Sequence, residues 1–179
     1  GHSTAYEYNA VGQKIKTVFH DASARQDAFD ALGRKTSQTD PSGVTTQYEY
    51  DALGRLAAVI DAQQQRTEYG YDEAGNKTSQ TDAKGHTTRW AYDAMGRVIT
   101  HTLPLNQSES FTYDVAGNVQ THTDFNGNTT AFIYDINHRV TQKTFSDGAT
   151  EHYTYTATGQ VETASNGEGV TSYVYDAQD

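Results

Sequence analysis

A chain of 179 residues with a formal net charge of −10, no cysteine and 35% hydrophobic residues excludes a disordered polymer, a disulfide scaffold and a nucleic-acid binder. Phosphate recognition depends on clustered Lys and Arg, and the 13 basic residues here are dispersed. Tyr (13) outnumbers Phe (6), Trp and Met occur once each and Thr is abundant, a composition suited to a pleated, half-buried surface rather than to the thick core of an α/β enzyme.

Along the chain, Gly1-His2-Ser3 reads as a cloning remnant, so residues 1–4 are set apart as disordered and the fold is expected to occupy 5–179. From there an aromatic anchor recurs every 21 residues: Tyr8, Phe29, Tyr50, Tyr71, Tyr92, Tyr113, Tyr134 and Tyr155. Tyr175 follows after 20, which places one missing residue near Asn166–Gly169. Asp follows the anchor at Asp51, Asp72, Asp93, Asp114 and Asp135. Four residues after the anchor stands Gly12, Gly33, Gly54, Gly75, Gly96, Gly117 or Gly159, with His138 the exception. The next position holds Arg34, Arg55, Arg97 and Arg139, or Asn76 and Asn118. Two before the anchor lies another aromatic (Tyr48, Tyr69, Trp90, Phe111 and their equivalents), replaced by Asp27 in the second repeat. So regular a period is the mark of a repeat architecture.

Each unit holds two turns. Asp51-Ala52-Leu53-Gly54 recurs at 72–75, 93–96 and 114–117, and Asp40-Pro41-Ser42-Gly43 recurs at 82–85 and 124–127. Asp first and Gly fourth are hairpin-turn preferences. Where Gly is missing, Asn106 is the mildest substitute, and Gln64 and His138 are expected to carry about 1 kcal/mol or more of strain. Between turns the chain alternates: Thr46, Tyr48 and Tyr50 are expected on one face, Thr45, Gln47 and Glu49 on the other, and Leu56, Ala58 and Ile60 together. The pattern predicts an all-β antiparallel meander with no helix. His20–Gln26, which lacks both turn Gly and second aromatic, is expected to form a distorted loop or bulge.

The string Tyr48-Glu49-Tyr50-Asp51-Ala52-Leu53-Gly54-Arg55-Leu56 resembles the YD (Rhs) repeat, as do residues 69–77 and 90–98. That repeat builds bacterial Rhs and polymorphic toxins, the shell components of Tc toxins, and teneurins. The resemblance implies about eight tandem 21-residue hairpins, a fragment of a longer array, in one continuous twisted, spiralling sheet. The implied function is a structural scaffold: a segment of a shell that in the parent protein encapsulates a C-terminal toxin and helps deliver it. The parent would then be secreted or associated with the cell surface. The implied partners are adjacent repeats and an encapsulated toxin domain, with no nucleic acid and no membrane span. The raw sheet edges also invite edge-to-edge self-association. The alternative function is a cell-surface adhesion or carbohydrate-binding module, whose glucan-binding relatives favour Trp where this chain has only Trp90.

Candidate chemistry is outweighed by architecture at each position. Asp40-Pro41-Ser42-Gly43 resembles a self-cleavage motif of Rhs-type proteins, but it occupies an ordinary second-turn slot. His101 and His122 project from one face of alternate strands, nearly 10 Å apart, too far to share a metal without a third group between them. Asp72 and Glu73 could suggest a carboxylate dyad, but the recurring Asp travels with its Gly and is read as a turn acceptor. No enzyme, cofactor or metal site is expected, and the anchors named above are assigned a structural role.

Overall fold

The computed structural model describes residues 3–176, so Gly1-His2 of the expected remnant lie outside the described residues. Seventeen strands belong to one antiparallel sheet, and no helix occurs among the described residues. The chain divides into two compact units, residues 1–88 and 89–179.

In the first unit the strands are β1 (Ala5–Tyr8), β2 (Lys14–Val18), β3 (Ala24–Phe29), β4 (Lys35–Thr39), β5 (Thr45–Tyr50), β6 (Leu56–Ile60), β7 (Arg66–Tyr71) and β8 (Lys77–Thr81). From β1 to β8, neighbours in sequence pair antiparallel. The strand β9 (Thr87–Tyr92) spans the division and leads into the second unit. There follow β10 (Val98–Thr102), β11 (Ser108–Tyr113), β12 (Val119–Thr123), β13 (Thr129–Tyr134), β14 (Val140–Thr144), β15 (Thr150–Tyr155), β16 (Val161–Asn166) and β17 (Gly169–Ser172), again each paired with the next.

The turns follow from the Asp-x-x-Gly code. At the anchor turn Asp51–Arg55, the Gly54 amide donates to the Asp51 carbonyl and the Asp51 amide to the Arg55 carbonyl, both at 2.9 Å. Gly54 adopts φ +83°, the left-handed conformation a type I turn with a following bulge requires. The same two backbone bonds close every connection from Asn9–Gln13 to Thr156–Gln160. The last connection differs: Asn166 pairs directly with Gly169, so a two-residue turn joins β16 and β17 and absorbs the residue missing from the period. In second turns such as Asp40–Val44 and Asp82–His86 a hydroxyl pair also flanks the loop, Thr39–Thr45 (2.8 Å) and Thr81–Thr87 (2.9 Å).

Two sequence expectations are corrected. The stretch His20–Gln26 is not distorted: Phe19–Ser23 closes with the standard bonds, Ala22 takes the glycine slot at φ +64°, and β3 is a regular strand. The backbone pattern overrides the missing Gly because both flanking strands are already in register. Leu56 does not share a face with Ala58 and Ile60. A register shift pairs Tyr50 with Leu56 but Glu49 with Ala58, so the bulge turns Leu56 toward the face of Tyr50. The shift recurs at the anchor of every anchor hairpin, including Tyr71, Tyr113, Tyr134 and Tyr155.

The sheet has almost no core. Among the described residues only Ala58 (0% exposed) and Thr17 (8%) are buried. Ala58 lies opposite Glu49 on one side and Glu68 on the other, and Arg66 bonds both carboxylates at 2.8 Å, roofing the methyl group with an ion network. Stability is therefore a sum of contacts between neighbouring hairpins.

Candidate functional site

The most elaborate constellation is the junction between one anchor turn and the next. Asp51 Oδ1 accepts the Leu53 and Arg55 amides at 2.9 Å, and Oδ2 accepts Arg55 Nε at 2.7 Å. The Arg55 side-chain and backbone hydrogen bonds hold the Asp51 carboxyl below its ordinary range. The guanidinium so fixed lies over the ring of Tyr71, 4.7 Å from the centroid, and its Nη1 donates to the Asp72 carbonyl at 2.8 Å. The Tyr71 hydroxyl reaches back and donates to the Leu56 carbonyl at 2.8 Å. Arg and Tyr thus clasp consecutive repeats in both directions.

The clasp recurs with the same parts. Arg34 covers Tyr50 at 4.8 Å, Arg97 covers Tyr113 at 4.3 Å and Arg139 covers Tyr155 at 4.5 Å. The hydroxyls of Tyr50, Tyr113, Tyr134, Tyr155 and Tyr175 donate to the carbonyls of Lys35, Val98, Val119, Val140 and Val161. Asp93 and Asp135 grip Arg97 and Arg139 as Asp51 grips Arg55. Asp72 and Asp114 bond Asn76 and Asn118 instead, at 2.9 and 2.8 Å. The turn glycines Gly54, Gly75, Gly96, Gly117 and Gly159 all have positive φ, and the ends of Arg34, Arg97 and Arg139 pass over Gly54, Gly117 and Gly159. Phe29 fills an anchor slot without a hydroxyl, Tyr8 stands 59% exposed on the outermost strand, and Tyr92 pairs with Val98 at the end of β9.

The candidate chemical positions are engaged in turns. Asp40 Oδ1 accepts the Ser42 and Val44 amides at 2.8 and 2.9 Å, and Asp72 Oδ1 accepts the Asn76 amide at 2.8 Å. Asp27 takes the aromatic slot, where Lys35 bonds it at 2.6 Å and Arg25 at 3.4 Å. Burial pushes its carboxyl upward, but the hydrogen bond and charge of Lys35, with the charge of Arg25, outweigh this and leave it lowered.

One cluster escaped the sequence reading. Glu109 stands between the two histidines: its Oε1 is 2.9 Å from His101 Nδ1 and its Oε2 is 2.9 Å from His122 Nε2. Trp90 stacks on His101 (5.3 Å, 4°) and Phe111 on His122 (4.6 Å, 2°). The signal was present, since the turn at Leu103–Gln107 places residue 109 opposite residue 101. Among the described residues no group of three or more His, Cys, Asp or Glu is arranged to hold a metal ion.

Fold and junction together define a class: tandem antiparallel hairpins joined side by side through a Tyr-Asp…Gly-Arg code, the architecture of a YD-repeat shell wall. The sequence model of the Teneurin YD-shell family matches residues 2–179, and the chain belongs to that family. No curated protein matches the chain in sequence. Among solved structures it is similar to TcdB2-TccC3-Cdc42 (17% identity, 95% of this chain, 12% of that chain, TM-score 0.71). It is also similar to TcdB2-TccC3-TEV (18% identity, 92% and 11% covered, TM-score 0.61) and to TcdB2-TccC3 (18% identity, 92% and 12% covered, TM-score 0.57). At these identities the likeness is one of fold, and the chain spans about an eighth of the length of those proteins.

Proposed function

We propose that residues 5–179 form one array of YD repeats that serves as a stretch of shell wall, without enzymatic activity of its own, in a parent protein that encapsulates a C-terminal toxin and helps deliver it. The observation that carries this reading is the clasp: Asp51, Arg55, Tyr71 and their equivalents are engaged in joining one hairpin to the next. The anchors are structural, and the partners are adjacent repeats and an enclosed toxin domain. The family membership and the fold shared with the TcdB2-TccC3 structures support the wall, and the resemblance to Rhs and Tc shells supports the toxin and a secreted or cell-surface location.

The clasp also weighs against carbohydrate binding, because a sugar would need ring faces that here carry cations. Arg34, Arg55, Arg97 and Arg139 cover four anchor tyrosines, Tyr50, Tyr71, Tyr113 and Tyr155, and Lys14 and Lys143 cover Tyr6 and Tyr153. The test is limited proteolysis of the parent protein. A wall keeps the downstream domain resistant to protease under native conditions, and paired Ala substitutions at Arg55 and Tyr71 make it sensitive. Equal cleavage of the domain with and without the array, or retention on a glycan array, would overturn the reading.

A further inference from the structure

Asn is followed by Gly twice in the sequence, at Asn126-Gly127 and Asn166-Gly167. In such a pair the next backbone nitrogen can attack the Asn side-chain amide, because glycine has no Cβ in the way. The two pairs occupy different turn positions. In the turn Asp124–Asn128, Gly127 is the fourth residue, and its N–H closes the turn on the Asp124 carbonyl at 3.0 Å. Between β16 and β17 the period has lost a residue and Asn166 pairs with Gly169, so Gly167 comes straight after the first residue of the turn. Its N–H makes no hydrogen bond among the described residues, and Asn166–Gly169 are exposed.

The Asn166 side chain is also primed for attack. Its Oδ1 accepts the Glu168 amide at 2.9 Å and the Gly169 amide at 3.2 Å. Two N–H groups aimed at one carbonyl oxygen act as an oxyanion hole does, stabilising the negative charge that develops there as a nucleophile adds. Asn126 has no equivalent: its backbone N–H donates to Asp124 Oδ1 at 2.8 Å, and among the described residues no donor meets its side-chain oxygen.

We propose that Asn166 is a site of spontaneous covalent modification, converted through a cyclic imide to aspartate and isoaspartate. Gly167 N attacks Asn166 Cγ and forms the N–Cγ bond. The Cγ–Nδ2 bond breaks, and that nitrogen leaves as ammonia with the proton from Gly167. Water then opens the ring at either carbonyl. Opening at Cγ leaves an ordinary aspartate, and opening at the main-chain carbonyl leaves a linkage that routes the backbone through Cβ and Cγ. One water is consumed, one ammonia is released, and nothing is oxidised or reduced. Both products place a new carboxylate near Glu168, and the isoaspartyl linkage lengthens the shortened turn.

The experiment incubates the chain in mildly alkaline buffer and follows both Asn-Gly pairs by peptide mass mapping, with and without urea. Attack at Asn126 must first break the hydrogen bond of Gly127, and no donor awaits the charge on its side-chain oxygen. Asn166 is therefore expected to react about tenfold faster than Asn126 in the folded chain. In urea both turns are lost and the two rates should converge. No conversion at Asn166, an Asn126 that reacts as fast, or a difference that persists in urea would each overturn the proposal. Gly167→Ala gives a second check. Gly167 lies outside the left-handed region and a Cβ added there meets nothing within 4 Å, so the variant keeps the fold while its methyl group crowds the attacking nitrogen. Conversion of Asn166 should be lost at an unchanged unfolding midpoint, and undiminished conversion would also overturn the proposal.

Discussion

Arg55 and Tyr71, 16 residues apart in sequence, form one object in space: the guanidinium sits 4.7 Å from the ring centroid while the tyrosine hydroxyl donates to the Leu56 carbonyl beside the arginine. The cation stack uses the face of the ring and the backbone bond uses its hydroxyl, so they can be removed separately.

Tyr71→Phe removes the hydroxyl and leaves the stack. The expected loss is about 0.5–1.5 kcal/mol, the net worth of one hydrogen bond. Arg55→Ala removes the stack, the ion pair with Asp51 and the bond to the Asp72 carbonyl, and should cost about 1–3 kcal/mol. Urea unfolding of both variants checks the order, with Arg55→Ala the more damaging. Phe29, which already lacks the hydroxyl, offers a control: Phe29→Leu should cost the anchor no hydrogen bond.

Among the described residues, four non-glycine residues hold positive φ in turns: Ala22 (64°), Gln64 (61°), Asn106 (66°) and His138 (62°). Gln64→Gly should stabilise the chain by about 0.5–1 kcal/mol, because strain of about 1–2 kcal/mol is relieved while the unfolded chain gains some entropy. Asn106→Gly should gain less, since Asn tolerates this region. His138→Gly also loses the bond from the histidine ring to Asn118 at 2.7 Å, so its gain is smaller than that of Gln64→Gly. Thermal midpoints of the three variants test the ranking.

Asp27 is a charge in a slot built for a ring, with its side chain 7% exposed and held by Lys35 and Arg25. Asp27→Ala should cost about 1–3 kcal/mol, since it strips two cations of their carboxylate and leaves Gln38 Oε1 as the acceptor they share. The double change Arg25→Thr with Asp27→Tyr recreates the Thr46–Tyr48 pattern of β5 and should recover most of that loss. Failure of the double variant to exceed Asp27→Ala in unfolding midpoint would show that the polar cluster is needed where it stands.

The turn carboxylates set a further limit in acid. Arg55 holds Asp51 below its ordinary range, Arg139 does the same for Asp135, and the Arg97 backbone and side chain do so for Asp93. A depressed folded value means the contribution is present above about pH 4 and is lost as pH falls through the folded value. The midpoint difference between the chain and Asp51→Asn should therefore be steady from pH 8 to about 5 and shrink only as pH falls below the ordinary carboxylate value, about 4.

Much of the fold was legible because its signals are local. The period places the anchors, Asp and Gly specify the turns, and alternation assigns faces within a strand. Three features were not legible for the same reason. The bulge that moves Leu56 to the face of Tyr50 depends on pairing, not on the strand's own pattern. The regular turn at Phe19–Ser23 depends on neighbours that hold Ala22 at positive φ. The Glu109 contacts depend on side chains meeting across strands.

The sequence alone determined an all-β array of 21-residue hairpins, the role of each recurring Asp and Gly in its turn, and the place near Asn166–Gly169 where the period loses a residue. Such features are dictated within a few bonds of backbone, where sterics and short hydrogen bonds leave few solutions. Only the tertiary structure decided how repeats hold each other. Arg55 over Tyr71, Lys35 on Asp27 and Glu109 between His101 and His122 join residues on neighbouring strands, and their geometry depends on register, twist and rotamer together. In a sheet with almost no buried core, those contacts between neighbours are what hold one hairpin to the next.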